Sequence, residues 1–348
     1  AVLETIGARL GATEGSAATI ARRLGADRGL LVMDNCEHVI DAAASLVDDL
    51  VQACPNLTVV ATSRVPLGVP GEVTWRAPSM AVPVAGARLT PHQLAELDSV
   101  RLFTARARDI RPAFEVSESN AAAIAEICHR LDGMPLAIEL AAARTKMMLP
   151  EQIRDGLSDA LRLLTGGPRR LLPRQQTLEA SIAWSVDLLG DVERTVLARL
   201  SVFSGTFDLP SAEAVCGGDG VPEVAVLDAL ERLVDSSLVV TGGAGRFAML
   251  ETIRQHGQRQ LMAADEHDTV RRRHALQFER FAHEVAPASE TDRQEDAIAA
   301  VLADYDNIRT ALQWLSSRGE GSRLAEMVLA LGSFWDVAGV RIDAAFWC

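Results

Sequence analysis

Lysine is almost missing from this chain: across 348 residues the one lysine is Lys146. It lies in Ala143-Arg144-Thr145-Lys146-Met147, a helical stretch rather than a glycine-rich loop. The phosphate-cradling pattern GxxxxGK[ST] accordingly has no match. Aromatic residues are also scarce, at 4%, while alanine and leucine abound, which favours helices packed through aliphatic side chains. The five cysteines, Cys36, Cys54, Cys128, Cys216 and Cys348, are odd in number and never spaced CxxC. That argues against a disulfide scaffold or a zinc finger and fits a reducing compartment. No apolar run reaches membrane-spanning length and the first residues do not read as a signal peptide, so the cytoplasm is the expected location. Positive charge is short too, with a net charge of -13. A duplex DNA reader needs a basic face. The local cluster Arg271-Arg272-Arg273 reads either as a basic patch or as a solvated helix face.

Length and an ordinary globular balance, 48% hydrophobic and 23% charged, suggest two or three domains. Both ends look interrupted, since no methionine opens the chain and it closes on the apolar Ala344-Ala345-Phe346-Trp347-Cys348. Residues 16–27 read as a helix. Gly29-Leu30-Leu31-Val32-Met33 reads as a parallel strand apolar on both faces and ends at Asp34. An amphipathic helix over 37–53 and a second strand, Leu57–Ala61, complete a βαβ unit with a parallel sheet. Thr90-Pro91-His92-Gln93 is a helix start with a capping box. Helices are predicted over 91–108, 118–131, 136–148 and 150–157, with Gly133 as a C-cap and Pro135 opening the next helix. Helices at 177–189, 191–201 and 222–236 precede strands around Leu238–Thr241 and Phe247–Leu250, joined by a Gly-rich turn. These are the parts of a winged helix. Beyond residue 251 everything reads helical, and 293–338 resembles an antiparallel helix pair opening a repeat array.

Ligands of open α/β sheets bind beyond the carboxyl ends of the strands. A carboxylate at Asp34 can hold Mg²⁺ there, or it can merely cap the following helix. Asn35 and Glu37 follow, and Glu37 can orient an attacking water. Arg64 ends the second strand, where its planar fork can reach a terminal phosphate or simply open a surface loop. Taken alone, Gly133-Met134-Pro135-Leu136 reads as helix punctuation.

Leu30-Leu31-Val32-Met33-Asp34-Asn35-Cys36-Glu37-His38 resembles the Walker B segment of STAND ATPases, the NB-ARC-like cores of LuxR- and AfsR-type bacterial regulators. Thr58–Arg64 resembles their sensor-1 strand, followed by Pro66-Leu67-Gly68-Val69-Pro70-Gly71-Glu72. Asp132-Gly133-Met134-Pro135-Leu136-Ala137 resembles the GLPL motif, and Met249-Leu250-Glu251 stands in the place of the MHD motif. The four segments, in the family's order, cover roughly residues 29–254.

The resemblance implies a mainly α chain with an α/β part. Its expected domains are the end of a nucleotide-binding α/β domain (1–80), a helical domain (81–170), a winged helix (171–263) and a TPR-like helical region (264–348). It implies ATP or ADP with Mg²⁺ as ligands of the intact protein, with Asp34 as the Mg²⁺ carboxylate and Asn35 or Glu37 as the water-orienting group. Thr62, Ser63 and Arg64 would sense the nucleotide, and Gly133 and Pro135 would lie near the adenine. Leu250 takes the position of the family's histidine and Glu251 that of its aspartate, and a leucine cannot donate the hydrogen bond to the ADP β-phosphate. The phosphate loop of the family precedes Walker B by several tens of residues. It is therefore expected upstream of Ala1, or lost.

Hydrogen bonds to charged groups contribute about 1.5–3 kcal/mol each. Three missing bonds amount to roughly 4.5–9 kcal/mol, against about 8 kcal/mol for a micromolar ligand. Very weak nucleotide binding and no turnover are the expectation for this chain, and a sheet short of a strand would leave an apolar face and poor solubility. Two functions remain in play: a nucleotide-dependent switch of a transcriptional regulator, and a degenerate scaffold whose C-terminal helices bind a protein or an inducer. Glu223, Asp228, Glu231 and Asp235 surround Arg232 in the winged helix's expected recognition segment, so no direct DNA contact is expected.

Overall fold

The computed structural model describes residues 28–84, 89–164, 178–285, 294–332 and 334–335. The helix expected at 16–27 and the end of the 293–338 stretch lie outside them. The chain falls into two compact units. One closes at Ala77 and takes in Asp235–Ser237; the other comprises Pro78–Val234 and the chain from Leu238 onward.

The first unit holds β1 (Gly29–Met33), a single 3-10 turn (Cys36–His38), α1 (Ile40–Ala53) and β2 (Leu57–Ala61). The strands pair in parallel with Gly29 opposite Leu57 and Met33 opposite Ala61. Helix α1 buries Ala43, Leu46, Val47 and Leu50 against Met33, Cys36 and the inward side chains of both strands. The sequence reading of strands apolar and buried on both faces is corrected. Leu30 and Val32 are 66% and 61% exposed and Val60 is 48% exposed, so burial alternates along each strand. One helix covers one face, and alternate side chains point to the other.

The second unit is helical. It begins with α2 (Pro91–Ala95), α3 (Asp98–Ile110), α4 (Ala121–Arg130), α5 (Pro135–Ala143), α6 (Pro150–Gly156) and α7 (Ala160–Leu163). The capping box at Thr90 forms as read: the Thr90 side chain accepts from the Gln93 N–H and the Gln93 side chain from the Thr90 N–H. The single helix expected over 91–108 is two helices, because Leu97 takes an extended conformation (φ -73°, ψ 133°).

Next come α8 (Leu178–Asp187), α9 (Asp191–Leu200), β3 (Thr206–Phe207), α10 (Leu209–Cys216), α11 (Glu223–Asp235), β4 (Val240–Thr241) and β5 (Phe247–Ala248). The expected hairpin is real, but it is part of a three-stranded antiparallel sheet in the order β3-β5-β4. Helix α10 was not read from sequence, although Asp208 caps it by accepting the Ser211 N–H and Pro210 sits in its first turn. Helices α12 (Glu251–Ala263), α13 (His267–Val285), α14 (Gln294–Ala303), α15 (Tyr305–Ser317) and α16 (Gly321–Ala330) follow, three of them where a pair was read. One continuous apolar core runs through this unit from Leu94 to Trp335.

Candidate functional site

The residues singled out from sequence fall into two groups, one in each unit. In the first unit the five-residue strands end level, so Asp34 and Thr62 follow the paired residues Met33 and Ala61. The Thr62 N–H donates to Met33 O at 2.8 Å and the Cys36 N–H to Thr62 O at 2.9 Å. The Thr62 hydroxyl donates to the Asp34 carboxylate and accepts the Asn35 N–H at 3.0 Å. Asn35 turns the chain with a left-handed backbone (φ 60°), tolerated by this residue type. Asp34, Asn35, Thr62 and Ser63 are exposed.

The turn drops Glu37 inward. Its side chain is 4% exposed, with one carboxylate oxygen 3.8 Å from the Arg64 guanidinium and the other buried without a hydrogen-bond partner. Burial, and then the neighbouring carboxylates Glu37 and Asp34, push the Cys36 thiol pKa upward. The loop after β2 is folded on Glu72, whose carboxylate accepts the N–H groups of Leu67 (3.0 Å) and Gly68 (2.7 Å). Leu67 and Val69 close over the small core.

The Asp34 carboxylate and the Thr62 hydroxyl are exposed oxygen donors of the kind Mg²⁺ takes, whereas the unsatisfied oxygen of Glu37 is buried beneath them in the small core. A phosphate cradle of backbone N–H groups is another matter, since the sequence offers no matching loop.

In the second unit the GLPL-like and MHD-like segments meet. Helix α4 ends in a Schellman arrangement: the Gly133 N–H donates to Cys128 O at 3.2 Å and the Asp132 N–H to His129 O at 3.0 Å. Asp132 itself is left-handed (φ 52°), as is Gly133 (φ 66°). Gly133 is irreplaceable locally, because a Cβ there would lie 2.1 Å from Met80 O. Pro135, exposed, occupies the first turn of α5. The Asp132 carboxylate accepts the Glu251 N–H at 2.7 Å and so caps α12. Burial pushes the Asp132 pKa up to about 6, against the opposing pull of that N–H. Leu250 packs on the apolar core. The Glu251 carboxylate accepts from Arg254 Nε (2.8 Å) and Nη2 (2.9 Å) and from Gln255 Nε2 (2.9 Å). Asp132 is the residue that sequence reasoning passed over. Its signal was an aspartate where the cap of α4 calls for glycine.

On the winged helix, α11 exposes Glu223, Asp228 and Glu231, and its Arg232 lies 3.4 Å from Glu193. The wing arginine, Arg246, turns inward onto Thr206 and Asp304. Nor do Arg271–Arg273 make a basic patch. Arg273 donates to Gly217 O at 2.7 Å and pairs with Asp219, and Arg271 is half-buried.

Comparison with known proteins places a winged helix-turn-helix domain over residues 189–262, which is α9 to α12 with the intervening sheet. A Mycobacterium tuberculosis H37Rv protein named as an HTH-type transcriptional regulator is 42% identical over 320 residues, 91% of this chain and 35% of its own length. Its Mycobacterium bovis counterpart matches equally. An uncharacterized M. tuberculosis H37Rv protein is 41% identical over 248 residues, 70% of this chain and 60% of its own. Among solved structures, a STAND protein with a tetratricopeptide repeat sensor from Pyrococcus horikoshii covers 94% of this chain and 48% of its own at 13% identity, with a TM-score of 0.26. No described helix is long and apolar enough to cross a membrane. The chain thus spans about a third of the regulators it matches and carries a winged helix-turn-helix domain between two further helical stretches.

Proposed function

We propose that this chain is the switch segment of a transcriptional regulator, a STAND-type core that answers to ATP or ADP with Mg²⁺. The observation that supports it is the Asp34–Thr62 pair at the level ends of two parallel strands, with Arg64 and the half-satisfied Glu37 beside it. In this reading Asp34 holds Mg²⁺, and Asn35 or Glu37 orients water. Thr62, Ser63 and Arg64 contact the terminal phosphate. Gly133 and Pro135, with Leu250 and Glu251, form the part that reports the nucleotide to the winged helix.

The winged helix acts here as an internal coupling element rather than as a DNA reader. Its α11 face is acidic and would be repelled by phosphate, and its wing arginine is occupied by Asp304.

Titration of a fluorescent ADP analogue with Mg²⁺ tests the proposal. Binding should be saturable but weaker than micromolar, and Asp34→Asn and Arg64→Gln should each weaken it further. Binding indifferent to both substitutions would overturn it, whereas a low-micromolar constant lost in both variants would contradict only the expected weakness.

A second reading, the degenerate scaffold, is favoured by Leu250 and by a Glu251 carboxylate already engaged by Arg254 and Gln255. It expects no saturable nucleotide response at all.

A further inference from the structure

Among the described residues, one group of His, Cys, Asp and Glu side chains brings three donor atoms within 4.8 Å of one another: Glu279, His283 and Glu326. It includes none of the residues named above for nucleotide chemistry. Glu279 and His283 are four residues apart on α13, hence on one face a turn apart. Helix α16 packs against α13 and supplies Glu326. Both backbones are regular helix, so the three Cβ positions are fixed and only rotamers remain to adjust.

The cluster already holds a positive charge. Arg323 Nη1 lies 2.7 Å from Glu279 Oε2, while the Glu279 side chain is 12% exposed. The same guanidinium has a second partner, Glu320 Oε2, at 3.4 Å. Arg323 can therefore leave Glu279 without losing its carboxylate neighbour. Glu279, Glu326 and Glu320 outnumber Arg323, so the local balance still favours an added cation.

Metal–ligand bonds of roughly 2.0–2.2 Å set neighbouring donors about 3–3.5 Å apart. The present upper separation of 4.8 Å closes by rotation of His283 and Glu326, both exposed. An imidazole in the set selects first-row transition metals over Mg²⁺ and Ca²⁺, and two carboxylates complete the charge of a divalent ion.

We propose that Glu279, His283 and Glu326 form a binding site for a divalent transition-metal ion of the zinc class, clipping α13 to α16 in competition with Arg323. Three protein ligands leave the remaining positions to water.

Isothermal titration of the whole chain with Zn²⁺, paired with the visible absorption of added Co²⁺, tests this. We expect one ion per chain, Co²⁺ bands, and a rise in Tm that an equal concentration of Mg²⁺ does not give. His283→Ala should weaken binding at least tenfold and remove the bands. Glu326→Gln should weaken it, and Arg323→Gln should tighten it several-fold by removing the competing cation. His283 and Glu326 are exposed, so these variants keep the fold. The proposal is overturned if His283→Ala takes up Zn²⁺ as the parent does, which would move the ion to other ligands. It is equally overturned if no saturable uptake occurs, or if Mg²⁺ raises Tm as much as Zn²⁺.

Discussion

The Asp132 carboxylate caps helix α12 by accepting the Glu251 N–H at 2.7 Å, across 119 residues of chain. Leu250, the N-cap residue of that helix, has no side chain able to do this. The cap is therefore borrowed from the end of α4, and it joins the GLPL-like and MHD-like segments directly. Asp132 accepts a left-handed backbone to reach it, at a cost of about 1 kcal/mol relative to glycine.

Substitution separates the cap from the strain. Asp132→Asn keeps an acceptor and tolerates the left-handed conformation, so its stability at pH 4, where the parent's carboxyl is largely neutral, should stay near that of the parent. Asp132→Gly loses a cap worth about 1 kcal/mol but relieves the backbone. Asp132→Ala loses the cap and keeps the strain the parent already bears, so it should fall about 1 kcal/mol below the parent and about 1 kcal/mol below the glycine variant. Urea unfolding should rank Asn above Gly above Ala. An alanine variant as stable as the glycine variant would refute the strain argument.

The same carboxylate carries a pH signature. Its folded pKa, about 6, lies above the ordinary value of 3.8. For a raised carboxylate the neutral form is the one the fold favours. Its contribution is complete below pH 3.8 and is lost as pH rises through about 6. Asp132→Asn cannot ionise, so its Tm relative to the parent should climb between pH 4 and pH 7. A flat difference across that window would contradict the buried, ionising Asp132.

His274 has the opposite sign. It packs edge-on against Phe203 and tilted against Phe278, and its Nε2 lies 3.3 Å from Asn307 Oδ1. Asn307 Oδ1 also accepts the Ser204 N–H, which makes Nε2 the donor. Burial pushes the His274 pKa down to about 4 from 6.5. The fold thus favours neutral imidazole, and that stability is present above pH 6.5 and lost as pH falls through about 4. His274→Gln should be less stable than the parent at pH 7, and the gap should shrink toward pH 4. A constant gap would mean that the imidazole does not titrate with folding.

How much of this was legible in the sequence depends on distance along the chain. The Thr90 capping box is written within four residues and could be read directly. The nearness of Asp34 and Thr62 was also readable, because a parallel pair of equal strands fixes which residues end level. The exposure of Leu30 and Val32 was legible only in part: an apolar run reads the same whether one face or both are covered, although a sheet short of a strand was expected to bare an apolar face. Strand β3 is two residues long, too short for any alternation to show, and it exists because β5 offers an edge. The Asp132 cap joins positions that local sequence cannot relate. Its trace was only an aspartate standing where glycine is easier.

The wing yields the last prediction. Arg246 reaches from the turn between β4 and β5 to Asp304, with Nη2 at 2.5 Å and Nη1 at 3.1 Å, and also donates to Thr206 Oγ1 at 2.8 Å. The Asp304 side chain is 6% exposed and the Arg246 side chain 17%. Removing one member of such a pair strands the other charge, at a cost of roughly 3–5 kcal/mol. Arg246→Met should therefore be strongly destabilising, and Arg246→Met combined with Asp304→Leu less so than the single change. If the wing is held mainly by this pair, amide exchange across 240–248 should accelerate in Arg246→Met more than in the buried part of α13. Equal acceleration throughout would show that the substitution loosens the unit as a whole, with the wing following rather than leading.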